Sequence, residues 1–152
     1  MRKLIVIFCL WLISGVSMAQ FKKLNYEPII TAGYQQNSHS QFQLGLEHSL
    51  LNNSSDWLFV GAGVMATPYH DKWYWLPYAD VTRSWGLAFY GAKATTHHIQ
   101  PQLGISLLNF MDIGVGYAIP FNENSSNPVI KGFTFSLKIR MTNDNKTYLK
   151  IM

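Results

Sequence analysis

The stretch Val129 to Met141, VIKGFTFSLKIRM, constrains the chain more than any other. Val129, Phe133, Phe135, Leu137, Ile139 and Met141 are apolar and stand two or four residues apart, with Lys131 the exception near one end. Between them stand Gly132, Thr134, Ser136, Lys138 and Arg140. Successive side chains of a strand point to opposite faces, so this spacing predicts a two-faced strand. One face is apolar and the other small, polar or cationic. The run exceeds the usual strand of a soluble sheet and suits the roughly 9–11 tilted residues with which a strand crosses a bilayer.

Seven more segments repeat the pattern. Tyr26 to Gln35 sets Tyr26, Ile30, Ala32 and Tyr34 against Glu27, Thr31, Gly33 and Gln35. Gln41 to Leu50 sets Phe42, Leu44, Leu46 and Leu50 against Gln41, Gln43, Gly45, Glu47 and Ser49. Trp57 to Thr67 is apolar on both faces, but Gly61 and Gly63 share one of them. Lys72 to Arg83 sets Trp73, Trp75, Ala79 and Val81 against Tyr74, Tyr78, Asp80 and Thr82. Pro77 removes a ladder donor there, so a bulge or bend is expected. Trp85 to Thr95 sets Trp85, Leu87 and Phe89 against Gly86, Ala88, Tyr90 and Ala92. His98 to Leu107 sets Ile99, Leu103, Ile105 and Leu107 against Gln100, Gln102, Gly104 and Ser106. After an Asn109-Phe110 turn, Met111 to Phe121 sets its odd, apolar positions against Asp112, Gly114, Gly116 and Ala118. Polar stretches separate the segments.

The chain has 152 residues, one domain's worth. Charged residues are few (13%) and aromatic residues many (14%), which excludes a disordered chain. Residues 1–19 are expected to be a signal peptide: Arg2 and Lys3 precede the apolar run Leu4 to Val16, and Ser17-Met18-Ala19 offers small residues at a cleavage site. The alternative, a membrane helix, needs about 20 apolar residues. Cleavage removes Cys9, leaving no thiol chemistry, and lowers the formal charge from +4 to about +2, too weak to imply nucleic acid. Residues 20–141 are expected to form a barrel, and 142–152 a polar tail.

Two arguments set the apolar face outward. The interior of an eight-stranded barrel is only just filled by side chains and could not hold several dozen large apolar groups. Glycine adds the second argument. Gly33, Gly45, Gly61, Gly63, Gly86, Gly104, Gly114, Gly116 and Gly132 fall in the polar phase, and Gly91 does not. Glycine weakens a solvated strand face with nothing gained, whereas in a narrow lumen it makes room for neighbours. Apolar groups facing out must meet lipid, where a closed barrel satisfies every backbone polar group. The expected fold class is therefore all-β, a closed eight-stranded antiparallel up-and-down transmembrane barrel.

With its leader, its inverted alternation and its closing Gly-Phe-Thr-Phe-Ser-Leu strand, the chain from about residue 25 to 141 resembles the small eight-stranded outer-membrane barrels of the OmpA/OmpX type, in the porin-like superfamily. The segment PQLGISLLNFMDIGVGYAIPFN is similar to the penultimate hairpin of such barrels. The chain departs from them at its end, where Met141 stands instead of a terminal aromatic residue and a tail follows. The resemblance implies an outer-membrane location, a monomer, and outer-membrane lipid and the assembly machinery as partners. It places both termini in the periplasm. Aromatic residues then fall at two levels, Tyr26, Trp57, Trp85 and Phe110 at one and Tyr34, Phe42, Tyr69, Trp73, Trp75 and Phe121 at the other.

Six charged residues, Glu27, Glu47, Asp80, Asp112, Lys138 and Arg140, map to the inward phase and to the half nearer the termini. Buried charges need partners, so a structural ion-pair network is expected, with Asp112 opposite Lys138 and both Asp112 and Glu27 near Arg140. His39, His70, His97 and His98 fall in three loops at the other rim, where converging imidazoles would suit a transition metal, although their spacing fixes no ligand set. Lipid A deacylases carry a His-x-Ser pair, and this chain offers only His39-Ser40 and His48-Ser49. No catalytic residue, cofactor site or metal site is assigned. The expected role is structural or surface-interacting. The alternatives are a secreted, soluble, lipocalin-like ligand-binding barrel, with the two faces exchanged, and a lipid A-modifying enzyme.

Overall fold

The computed structural model describes residues 28–53, 56–123 and 128–142. The leader, Tyr26, Glu27 and residues 143–152 of the tail lie outside them. Eight strands follow one another: β1 (Ile29–Gln36), β2 (Ser40–Asn53), β3 (Asp56–Tyr69), β4 (Lys72–Trp85), β5 (Ala88–Thr95), β6 (His98–Leu107), β7 (Met111–Pro120) and β8 (Gly132–Met141). Each is antiparallel to the next, and β8 pairs with β1 from Ile30↔Met141 to Gln36↔Phe135, which closes the barrel. Closure leaves no strand edge for another chain to pair with.

The two ends of the barrel differ. One, the turn rim, carries the start of β1, the end of β8, and the tight turns Gly86-Leu87 and Leu108 to Phe110. The other, the loop rim, carries the connections after Gln36, Tyr69, Thr95 and Pro120. His70 and Asp71 both have positive φ (49° and 59°), the backbone of a type I′ hairpin turn.

Large apolar side chains stand outside and polar ones inside. Among the described residues, the buried set holds nine apolar residues against twenty-one polar or charged ones. The exposed set includes Leu44, Leu46, Leu103, Ile105, Phe133 and Phe135. Two of the inward rings, Phe89 and Tyr78, lie against glycines. A Cβ on Gly114 would stand 2.6 Å from Phe89 Cζ, and one on Gly63 2.8 Å from the Tyr78 hydroxyl. Missing side chains on one strand thus admit large ones from another.

Four local expectations are corrected. The alternation of β5 is the reverse of that expected: Phe89, Lys93 and Thr95 are buried, and Tyr90 is exposed. The cause is the turn. Trp85 opposes Ala88 across Gly86-Leu87, with glycine (φ +60°) where a II′ turn requires it. Directly opposed residues share a face, so outward Trp85 makes Ala88 outward and Phe89 inward. Gly91 thereby joins the inward phase, and Gly86 leaves it for the turn. Pro77 causes no bulge, since the β3–β4 register is unbroken from Asp56↔Trp85 to Tyr69↔Lys72. The β4–β5 ladder begins one residue later, at Tyr78↔Thr95. Trp57 is not in an outer aromatic level; it is buried inside with Ile29 and Phe59. Lastly, β8 starts at Gly132 (φ +92°) rather than Val129, and Ile130 turns into the loop-rim end beside Met65, Leu76, Tyr78 and Ala118.

Candidate functional site

The charged interior is built by three neighbourhoods of strands. β8 places Lys138 and Arg140 two residues apart, hence on the same inward face. β2 and β4 bring Glu47 and Asp80 to the same level, since both directly oppose Gly61. A Cβ on Gly61 would stand 2.7 Å from Glu47 Cγ, so only glycine lets these carboxylates approach. β7 supplies Asp112, which opposes Lys138 in the ladder.

The ion pairs cross the lumen. Lys138 Nζ donates to Glu47 Oε1 at 2.5 Å and to Asp80 Oδ2 at 2.8 Å, with Thr82 Oγ1 at 3.4 Å. Arg140 Nε donates to Glu47 Oε2 at 2.5 Å, and its Nη1 stands 2.6 Å from Asp112 Oδ2. Its guanidinium also lies 4.3 Å from the Phe59 ring centroid. Ser106 Oγ donates to Asp112 Oδ1 at 2.6 Å. The cross-strand neighbour of Lys138 is therefore not its ion-pair partner. Its long side chain reaches past Asp112 to the opposite wall, and Asp112 binds Arg140 instead. Glu27, expected beside Arg140, lies outside the described residues.

Lys93 is the inward cation that sequence reading missed, because it followed the wrong phase of β5. The signal was present: outward Trp85 and a two-residue glycine turn put Lys93 inside. Its ammonium donates to Gln35 Oε1 at 3.0 Å and to Gln43 Oε1, and lies 5.3 Å from the Tyr78 ring centroid. Gln35 Nε2 in turn donates to Gln41 Oε1 and, at 3.2 Å, to Gln100 Oε1. An amide layer thus sits above the ionic layer. With Lys93, the described interior holds three carboxylates (Glu47, Asp80, Asp112) and three cations (Lys93, Lys138, Arg140) and is formally neutral.

This arrangement suits support better than chemistry. A carboxylate already bound to Lys or Arg is a poor base. Desolvating each ion costs several kcal/mol, which only partners and added hydrogen bonds offset.

The histidines do not converge. His98 opens β6, is buried, and is bonded to Thr95 Oγ1 at 2.9 Å. His97 bonds to Thr96. His39 and His70 flank Tyr69, with ring centroids 5.0 and 4.2 Å away. Among the described residues, no group of three or more His, Cys, Asp or Glu could hold a metal ion. His48 is outward and Glu47 inward, so the two do not form a relay.

The outer wall is the other candidate surface. Trp73, Trp75 and Phe121 are exposed near the loop rim, and Trp85 and Phe110 near the turn rim. Between them run Ile30, Leu44, Leu46, Val64, Leu103, Ile105, Val115 and Ile119, all more than a third exposed. Comparison with protein-family models, with curated proteins and with solved structures finds no match for the chain.

Proposed function

We propose that this chain is an integral outer-membrane β-barrel with a filled polar interior, exported by its N-terminal leader, with a structural or surface-interaction role. One observation carries the reading: the wall is apolar on its outer side all around the closed sheet, while the ion pairs and amides are inside. Monomeric soluble proteins rarely expose a continuous apolar patch beyond a few hundred Å². A ligand-binding barrel in water needs the opposite distribution, with apolar groups inward. In a bilayer the observed one costs nothing, because the tails are as apolar as the wall.

The filled interior supports a role other than transport, since ionic and amide layers occupy the space a solute would cross. The loop-rim connections after Gln36, Tyr69 and Thr95 are only two or three residues long, which leaves the rim itself as the surface offered to the exterior there.

The test is expression of the full chain in a Gram-negative host. The reading predicts sedimentation with outer membranes, resistance to alkaline carbonate extraction, and a mobility shift between unboiled and boiled samples. Recovery of the mature chain as a detergent-free soluble monomer would exclude it and favour the soluble barrel. Altered lipid A mass upon expression would favour an enzyme.

A further inference from the structure

Two depressions on the outer wall meet at one residue, Tyr90. The first, about 250 Å³, is polar and lies at the turn rim between Asp56, Arg83, Trp85 and Tyr90. The second, about 720 Å³, runs over β5, β6 and β7, with Ala92 and Pro101 in its floor and Leu103, Tyr117 and Phe133 in its walls. The ladder gives their order. Asp56 opposes Trp85 at the rim, Arg83 opposes Tyr90 one outward step further in, and Val81 opposes Ala92 one step beyond that. The pair therefore forms one track, polar at the rim and apolar toward mid-barrel.

The charge on this track is specific. Among the described strand residues, Arg83 is the one lysine or arginine in the outward phase, set in an apolar wall. Its Nε and Nη2 form a fork with Asp56 Oδ1 and Oδ2 at 3.0 and 2.8 Å. The fork fixes the guanidinium plane, and the Tyr90 hydroxyl also interacts with the guanidinium. Each Asp56 oxygen still has a lone pair for a further donor. The result is an oriented dipole on the surface, with donors on one side and a carboxylate on the other. An exposed Trp85 ring lies beside it, as is favoured at a headgroup level.

We propose that this track binds one phosphoethanolamine-type glycerophospholipid, with the phosphate on Arg83, the ammonium on Asp56 and one acyl chain over Ala92 and Pro101. The inference rests on the membrane reading above. A zwitterion with a donor-rich end matches both members of the fork. A purely anionic headgroup meets Asp56 with like charge, and a quaternary amine brings no N–H for it.

The test uses the folded barrel in nanodiscs of phosphatidylcholine doped equally with phosphatidylethanolamine and phosphatidylglycerol of one acyl composition. Native mass spectrometry of released barrels reads the retained lipid. The expected result is a single retained phosphatidylethanolamine, favoured about tenfold over either other lipid, the factor one charge-assisted contact supplies. R83Q abolishes the preference, D56N brings phosphatidylethanolamine and phosphatidylglycerol to parity, and A92F lowers all adducts while keeping their order. Each variant is first shown to fold by its unboiled gel band. A flat lipid pattern on an inserted wild-type barrel overturns the site alone, as does a pattern unchanged in both R83Q and D56N. Failure of the wild-type chain to enter nanodiscs at all overturns the membrane reading and the site with it.

Discussion

Replacing Lys138 by methionine tests whether the interior is held by its charges. The substitution keeps an unbranched side chain of similar length and removes the ammonium. Glu47 retains Arg140 Nε at 2.5 Å, but Asp80 loses the cation 2.8 Å away that forms its ion pair. Breaking a buried pair by removing one partner costs about 3–5 kcal/mol, since a charge remains desolvated and uncompensated. At about 1.4 kcal/mol per factor of ten, the folding equilibrium moves by about two to three and a half orders of magnitude. Urea titration of the barrel in detergent or lipid vesicles, followed by tryptophan fluorescence and by the unboiled gel band, reads this as a lower midpoint at unchanged slope. The double variant K138M/D80N removes the stranded charge and is expected to recover most of the loss. A cost below about 1 kcal/mol for K138M, the range of an exposed pair, would refute the reasoning. So would a double variant no more stable than the single one.

Other consequences follow from the same geometry. Gly114→Leu places a side chain where Phe89 Cζ already stands 2.6 Å from a Cβ, so it is expected to destabilise by about 1–3 kcal/mol in the same titration, whereas outward Val115→Leu is neutral. In planar bilayers the wild-type barrel is expected to show no stable conductance steps, because both the ionic and the amide layers cross the lumen; discrete openings would contradict a filled interior. Lys93→Met removes an ammonium held by Gln35 and Gln43 and is expected to cost less than K138M, since it strands amides rather than a directly bonded carboxylate. A larger cost, by urea midpoint, would mean that Lys93 neutralises Asp80, its directly opposed neighbour on β4.

The legible part of the fold was the part that alternation encodes. In β2, β6, β7 and β8, large and small residues alternate strictly enough for the phase to be read directly, and Glu47, Asp112, Lys138 and Arg140 follow from it. β5 was illegible by that rule because Phe89 and Tyr90 are both large aromatics. Its phase resides in the turn before it, where Gly86-Leu87 carries the outward parity of Trp85 across to Ala88. Trp57 misled for a different reason: it shares the parity of Gly61 and Gly63 and so the inward phase, whereas an aromatic at a strand end suggests an interface level against that parity. The partner of Lys138 was illegible too. Register specifies what stands opposite, but a long side chain in a narrow barrel chooses among all the walls. Ile130 turned inward because β8 begins only at Gly132, so Ile130 lies before the strand, which no count of apolar residues reveals.

The account turns on which side of the wall meets lipid. A spin label placed singly at each position from Ile99 to Leu107 on β6, in vesicles, measures it through collision with oxygen and with a water-soluble nickel chelate. The account predicts an oscillation of period two, with oxygen access highest at Ile99, Leu103 and Ile105 and chelate access low there. A high chelate access at those outward positions would contradict it.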